Sequence, residues 1–131
     1  MLESPGKTLS RIWLIALAGL MGAAGVALLA ASAHAAPGAT LESAGQILLF
    51  HAAAVIALVA VITQTGLTSR PLALLATFGL VIGALLFSGD IAARAFLGHR
   101  MFPMAAPTGG VVLIVSWLAV TVAAVISALV K

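Results

Sequence analysis

The sequence predicts an all-α protein, an integral membrane four-helix bundle with both termini on the cytoplasmic side. Three observations lead there. Of 131 residues, 63% are hydrophobic and only 7% charged, whereas soluble chains are about one quarter charged. From Ile12 to Leu41, from Ser43 to Ser69 and from Val111 to Val130 there is no Asp, Glu, Lys or Arg. A helix needs about 20 apolar residues to cross a bilayer, so the length allows four crossings with short loops and no separate soluble domain.

Span one is expected over residues 12–33. It ends at Ala35-Ala36-Pro37-Gly38, a helix stop followed by a turn. Lys7 and Arg11 before it, and Ala31-Ser32-Ala33 and Ala33-His34-Ala35 after it, form a signal-peptide pattern. The apolar stretch is nevertheless about 22 residues, longer than the about 7–15 of a signal core, so retention as a span is expected. Span two covers 41–64, with Thr40 as the expected N-cap, Glu42 in the first turn and Gly66 at the C′ position. Span three covers 71–97. Pro71 suits a first helical position and Gly98 an end. Span four covers 109–130, after Pro107-Thr108-Gly109-Gly110. Backbone groups in lipid must be satisfied internally, which makes these spans helices.

An even number of spans puts both termini on one side. That side carries Lys7, Arg11, Arg70 and Lys131, against Arg94 and Arg100 on the other. The positive-inside rule therefore places the termini in the cytoplasm, and a bacterial inner (plasma) membrane is the expected location. Trp13 stands where an interfacial anchor belongs. The sequence pI of about 10.8 does not indicate nucleic acid, because the six bases are scattered and form no patch. There is no cysteine, hence no disulfide and no thiolate site.

Helices in lipid associate through small-residue faces. Gly79 and Gly83 form a GxxxG in span three. Ala18, Gly22 and Gly25 form a strip in span one. Gly109 and Gly110 leave the start of span four without side chains. Three ionisable residues lie well inside the spans, where each is costly: His51, and Asp90 with Arg94 at i and i+4. Counting at about 1.5 Å per residue puts His51 roughly 15 Å and Asp90 roughly 10 Å from the outer ends of their spans. All three are therefore expected to form one polar cluster in the outer half, beside the start of span four. As a clasp, Asp90 pairs with Arg94 and His51 completes the hydrogen bonding. As a relay, Asp90 and His51 carry protons or ions. Two imidazoles can ligate haem iron, but His34 and His51 differ by roughly 10 Å in depth and His99 is in a loop. No cofactor or metal site is expected, nor any catalytic motif.

Phe50-His51, Leu86-Phe87-Ser88-Gly89 and Pro107-Thr108-Gly109-Gly110 followed by Trp117 occur in an order and spacing that resemble the DUF423 family of small membrane proteins, related to the transmembrane protein 256 group. The resemblance runs from Gly22 to about Leu118. It implies a four-helix integral membrane protein and brings no activity, substrate or cofactor. Members often carry Gly-Ala-aromatic-Gly-Ala-His in the first span, where this chain has Gly22-Ala23-Ala24-Gly25-Val26-Ala27. The family's histidine thus falls on Ala27, and the shared spacing assigns Gly22 and Gly25 to packing.

The expected function is a non-enzymatic scaffold, assembly or accessory subunit of a membrane complex. Its partners would be the lipid bilayer and either other membrane subunits or a second copy of itself. A small transporter or channel using Asp90 and His51 is the alternative, and a haem- or quinone-binding electron carrier a weaker one.

Overall fold

The computed structural model describes residues 4–34, 38–65 and 69–130. Four helices follow in order: α1 (Pro5–Ser32), α2 (Gly38–Gln64), α3 (Arg70–Leu97) and α4 (Ala105–Leu129). All four are long and apolar enough to cross a membrane. The turn expected over 35–37, the Gly66 cap and the charge of Lys131 lie outside the described residues.

Three helices begin earlier than their apolar runs, because a helix does not stop where lipid does. Pro5 opens α1 with its φ preset and no N–H to satisfy, so Lys7 and Arg11 belong to the helix rather than to a tail. At the far end, Ala33 and His34 donate N–H bonds back to Ala30 and Ala31, tightening the last turn. Helix α2 starts at Gly38, which puts Thr40 and Glu42 inside it. Thr40 is therefore not the N-cap, and Glu42, beyond the first turn, accepts from the Gln46 amide at 3.1 Å. Helix α3 has Ser69 at its N-cap, with Pro71 in the first turn. It ends on Gly98 at φ +75°, the left-handed cap that glycine adopts without a Cβ penalty. Helix α4 begins at Ala105, and Pro107 falls in its first turn, where a missing N–H costs nothing.

The order of packing follows the chain. Helix α1 lies on α2, α2 on α3 and α3 on α4, with a smaller contact between α1 and α3. The outer helices bury narrow seams. In α1 the seam is Arg11, Leu14, Ala18, Met21 and Gly25, spaced by threes and fours along one face. In α4 it includes Gly109, Leu113, Ser116, Ala123 and Ser127. The inner helices bury more, because each has neighbours on two sides. Leu48, Val55, Leu80, Val81 and Ala84 belong to the central apolar core. Outward, Leu20, Phe50 and Leu75 are each 68% exposed. So broad an apolar surface is at home against lipid tails, and the chain is a multi-pass membrane protein.

Two helix pairs meet backbone to backbone. A Cβ on Gly25 would lie 2.9 Å from the carbonyl oxygen of Gly45, and one on Gly45 would lie 2.9 Å from that of Gly25. The same relation joins α3 to α4. A Cβ on Gly83 would lie 2.9 Å from the Gly109 oxygen, and one on Gly109 2.5 Å from the Phe87 nitrogen. Gly79 faces Ser116 so closely that a Cβ would overlap its hydroxyl. Gly22 and Gly110 are different: their nearest neighbours, Ala52 and Phe87, stand at 3.9 Å, which is ordinary contact.

Candidate functional site

Asp90 is the most enclosed charge described, at 1% exposure. One carboxylate oxygen pairs with an Arg94 Nη at 2.9 Å, one helical turn outward. Arg94 is half exposed, so its head reaches the polar end of the bundle while its stem lies along α3. The other oxygen accepts the backbone N–H of Met101 at 3.0 Å. That bond needs the chain to double back after α3, and the left-handed Gly98 starts the reversal. It also needs room on α3. Gly89 supplies it, since the Met101 sulfur sits 3.1 Å from where a Gly89 Cβ would be. Asp90 thus ties the α3–α4 connection to α3. Beside the ion pair lies a cleft of about 310 Å³ lined by Thr40, Ile91, Arg94 and Ala95.

His51 does not join this cluster. Its Nδ1 lies 2.7 Å from the Ile47 carbonyl oxygen, and its Nε2 lies 3.3 Å from the indole nitrogen of Trp117. An indole nitrogen can only donate, and a carbonyl can only accept. His51 therefore carries its proton on Nδ1, gives it to Ile47 and accepts from Trp117 on Nε2. The two rings are tilted by 58° with centroids 6.1 Å apart. The separation from Asp90 has a simple origin. Because α2 starts at Gly38, His51 is about 20 Å along it, whereas Asp90 remains about 10 Å from the end of α3. The earlier start of α4 brings Trp117 about 18 Å along that helix, level with His51. The start of α4 is likewise not what holds Asp90; the N–H comes from the connection before it.

Several buried hydroxyls also bond within the protein. The Ser88 hydroxyl donates to the Ala44 carbonyl at 2.9 Å and ties α3 to α2. The Thr77 hydroxyl donates to Ala73. At the opposite end Ser69 donates to the Ala123 carbonyl at 2.6 Å and stands 2.8 Å from the Ser127 hydroxyl. Among the described residues no three His, Cys, Asp or Glu side chains converge as metal ligands. His34 follows the last turn of α1, and His99 bonds the Arg100 carbonyl in the exposed connection.

The sequence model of a family described as "Protein of unknown function (DUF423)" matches residues 14–110. The chain belongs to the DUF423 family. The match runs from the Leu14 turn of α1 to the second turn of α4, so it includes His51, Asp90 and Arg94 and both glycine crossings. Trp117, the partner of His51, falls beyond it. No curated protein and no solved structure shows a significant match to the chain.

Sequence reading found the Asp90–Arg94 pair from its i, i+4 spacing. It missed Trp117, Met101, Gly89 and Gly45. Trp117 is 66 residues from His51, and nothing local links them. Gly45 did carry a signal, as a glycine inside a span, but its partner Gly25 is on another helix.

Proposed function

We propose that this DUF423 protein is a small non-catalytic subunit, a scaffold or assembly factor within a membrane complex of a bacterial inner membrane. One observation carries the reading. The ionisable side chains within the spans are directed to partners in the same chain, while the surface left for others is apolar helix. Helices α1 and α4 pack along single seams and keep the rest of their circumference outward. In lipid, such faces are suited to contact with further helices. Mild-detergent purification of the full chain, with identification of co-eluting membrane proteins, tests it. A stable partner is expected; a chain that elutes alone and is dispensable for every membrane complex overturns it.

The orientation proposed has both termini in the cytoplasm. It rests on Lys7, Arg11 and Arg70 at the end of the molecule that holds Pro5 and Leu129, against Arg94 and Arg100 at the other. A reporter fused after Lys131 should read cytoplasmic, and a periplasmic readout reverses the assignment.

One feature favours transport as a second reading: the cleft beside Arg94 gives the Asp90 ion pair an approach from the polar end. A pH-dependent ion flux in proteoliposomes, abolished by Asp90→Asn, would establish it in place of the scaffold.

A further inference from the structure

Of the four buried hydroxyls described, Thr77 and Ser127 donate to the carbonyl one turn back and Ser88 donates to Ala44 on α2. The fourth, Ser116, is 5% exposed and hydrogen-bonds to none of the described residues. Its oxygen takes the space that a Gly79 Cβ would need, so the hydroxyl is turned toward α3. There it lines a groove of about 220 Å³ between the two helices, with Leu75, Gly79 and Ile82 on one side and Val115 and Ala119 on the other. Leu75, Ile82 and Val115 are exposed, so the groove opens outward. A buried hydroxyl without a partner is costly, and a groove that holds one calls for a polar atom from outside.

Depth restricts what can supply it. Helix α4 has 25 residues, about 38 Å, and Ser116 lies about 17 Å from Ala105 and about 20 Å from Leu129. With a hydrocarbon core about 30 Å thick, that level is close to the bilayer midplane. Lipid ester and phosphate groups stay about 15 Å away, at the edges of the core, and acyl chains carry no donor or acceptor. A spanning helix does bring polar atoms to the midplane.

From this geometry we infer that the α3–α4 groove is the interface of a homodimer, in which Ser116 pairs with its counterpart in a second copy. Copies inserted the same way are related by a two-fold axis along the membrane normal, which sets each residue opposite itself at equal depth. A hydroxyl both donates and accepts, so the serine pair is self-complementary. The surroundings suit close approach, since Gly79 and Ala119 are small. Among the described residues α4 lies along α3 and no other helix, which leaves Ile114, Val115 and Leu118 outward and free to pack on the second copy. This assignment rests on the bundle's place in the membrane and holds whether or not the chain serves as a scaffold.

The chain has no cysteine, so single-cysteine variants of the full protein each report one position. Val115→Cys, oxidised with copper phenanthroline in proteoliposomes at high lipid dilution, should give a disulfide-linked dimer. Leu20→Cys, near the middle of α1 and 68% exposed, should stay monomeric. Resonance energy transfer between labelled chains over a dilution series should give Ser116→Ala a dissociation constant about three- to tenfold above that of the parent. At dilutions where both are monomeric, Ser116→Ala should melt no lower than the parent, because it removes an unpaired buried hydroxyl. Ala119→Phe fills the groove and should abolish the energy transfer while its circular dichroism stays that of the parent. In native membranes, benzoylphenylalanine in place of Val115 should capture a second copy. Equal cross-linking at Val115 and Leu20 would mark random collision and overturn the inference. So would a Ser116→Ala protein with the parent's dissociation constant, a folded Ala119→Phe protein that still pairs, or capture of a different protein alone.

Discussion

Gly25 and Gly45 approach so closely that a Cβ on either would lie 2.9 Å from the other's carbonyl oxygen. No rotamer change can relieve such a contact, because the opposing atoms are backbone. Either Gly25→Ala or Gly45→Ala must push α1 away from α2, at a cost of about 1–3 kcal/mol. Gly19, in the same helix, has nothing within 4 Å of its Cβ position. Gly19→Ala should stabilise by about 0.5–1 kcal/mol through helix propensity alone. Unfolding by SDS in mixed micelles, followed by circular dichroism, reads all three; equal effects at Gly19 and Gly45 would contradict the crossing.

Asp90 is buried and its partner Arg94 is half exposed, which makes the pair asymmetric. Removing Arg94 leaves the buried carboxylate its Met101 bond but no counter-charge, so Arg94→Gln should cost about 1–2 kcal/mol. Asp90→Ala also orphans the Met101 N–H and should cost about 2–3 kcal/mol. The same micelle titration checks the order. Were Arg94→Gln the more damaging change, the loop tie through Met101 would not be what Asp90 provides. Under the scaffold reading, ion flux in proteoliposomes is the same for parent and Asp90→Asn.

The donor at Trp117 fixes the tautomer of His51. Nitrogen-15 spectra of the histidine ring should show the proton on Nδ1 in the parent. Trp117→Phe leaves Nε2 without its donor and should lower stability by about 0.6–1.5 kcal/mol. A parent ring protonated on Nε2 would refute the pairing.

Met104 precedes α4 with φ +67°, the left-handed region that a side chain occupies at a cost of about 1 kcal/mol. It is 59% exposed, so little packing is lost by shortening it. Met104→Gly should therefore leave stability unchanged or raise it by up to about 1 kcal/mol, whereas Gly98→Ala, at φ +75°, should lower it by about 1 kcal/mol. Thermal melts in detergent separate the two; a destabilised Met104→Gly protein would show that the methionine side chain itself holds the connection.

Much of this protein is legible along the chain, because lipid makes demands that act on consecutive residues. Uninterrupted apolar runs specify four spanning helices, Gly98 specifies the end of α3, and the spacing of Asp90 and Arg94 specifies a pair one turn apart. Each of these is local. The starts of α1, α2 and α4 were not legible from hydropathy, since hydrogen bonding carries a helix past the last apolar residue. Counted from Gly38 and Ala105, His51 and Trp117 lie about 20 and 18 Å along their helices and meet, while Asp90 stays about 10 Å from the end of α3. The reciprocal contacts of Gly25 with Gly45, and the burial of Arg11 against α2, likewise exist only between helices. A sequence determines which faces can come close. Only the packed bundle decides which residue on the next helix meets them, because that depends on how two helices are set along and around each other.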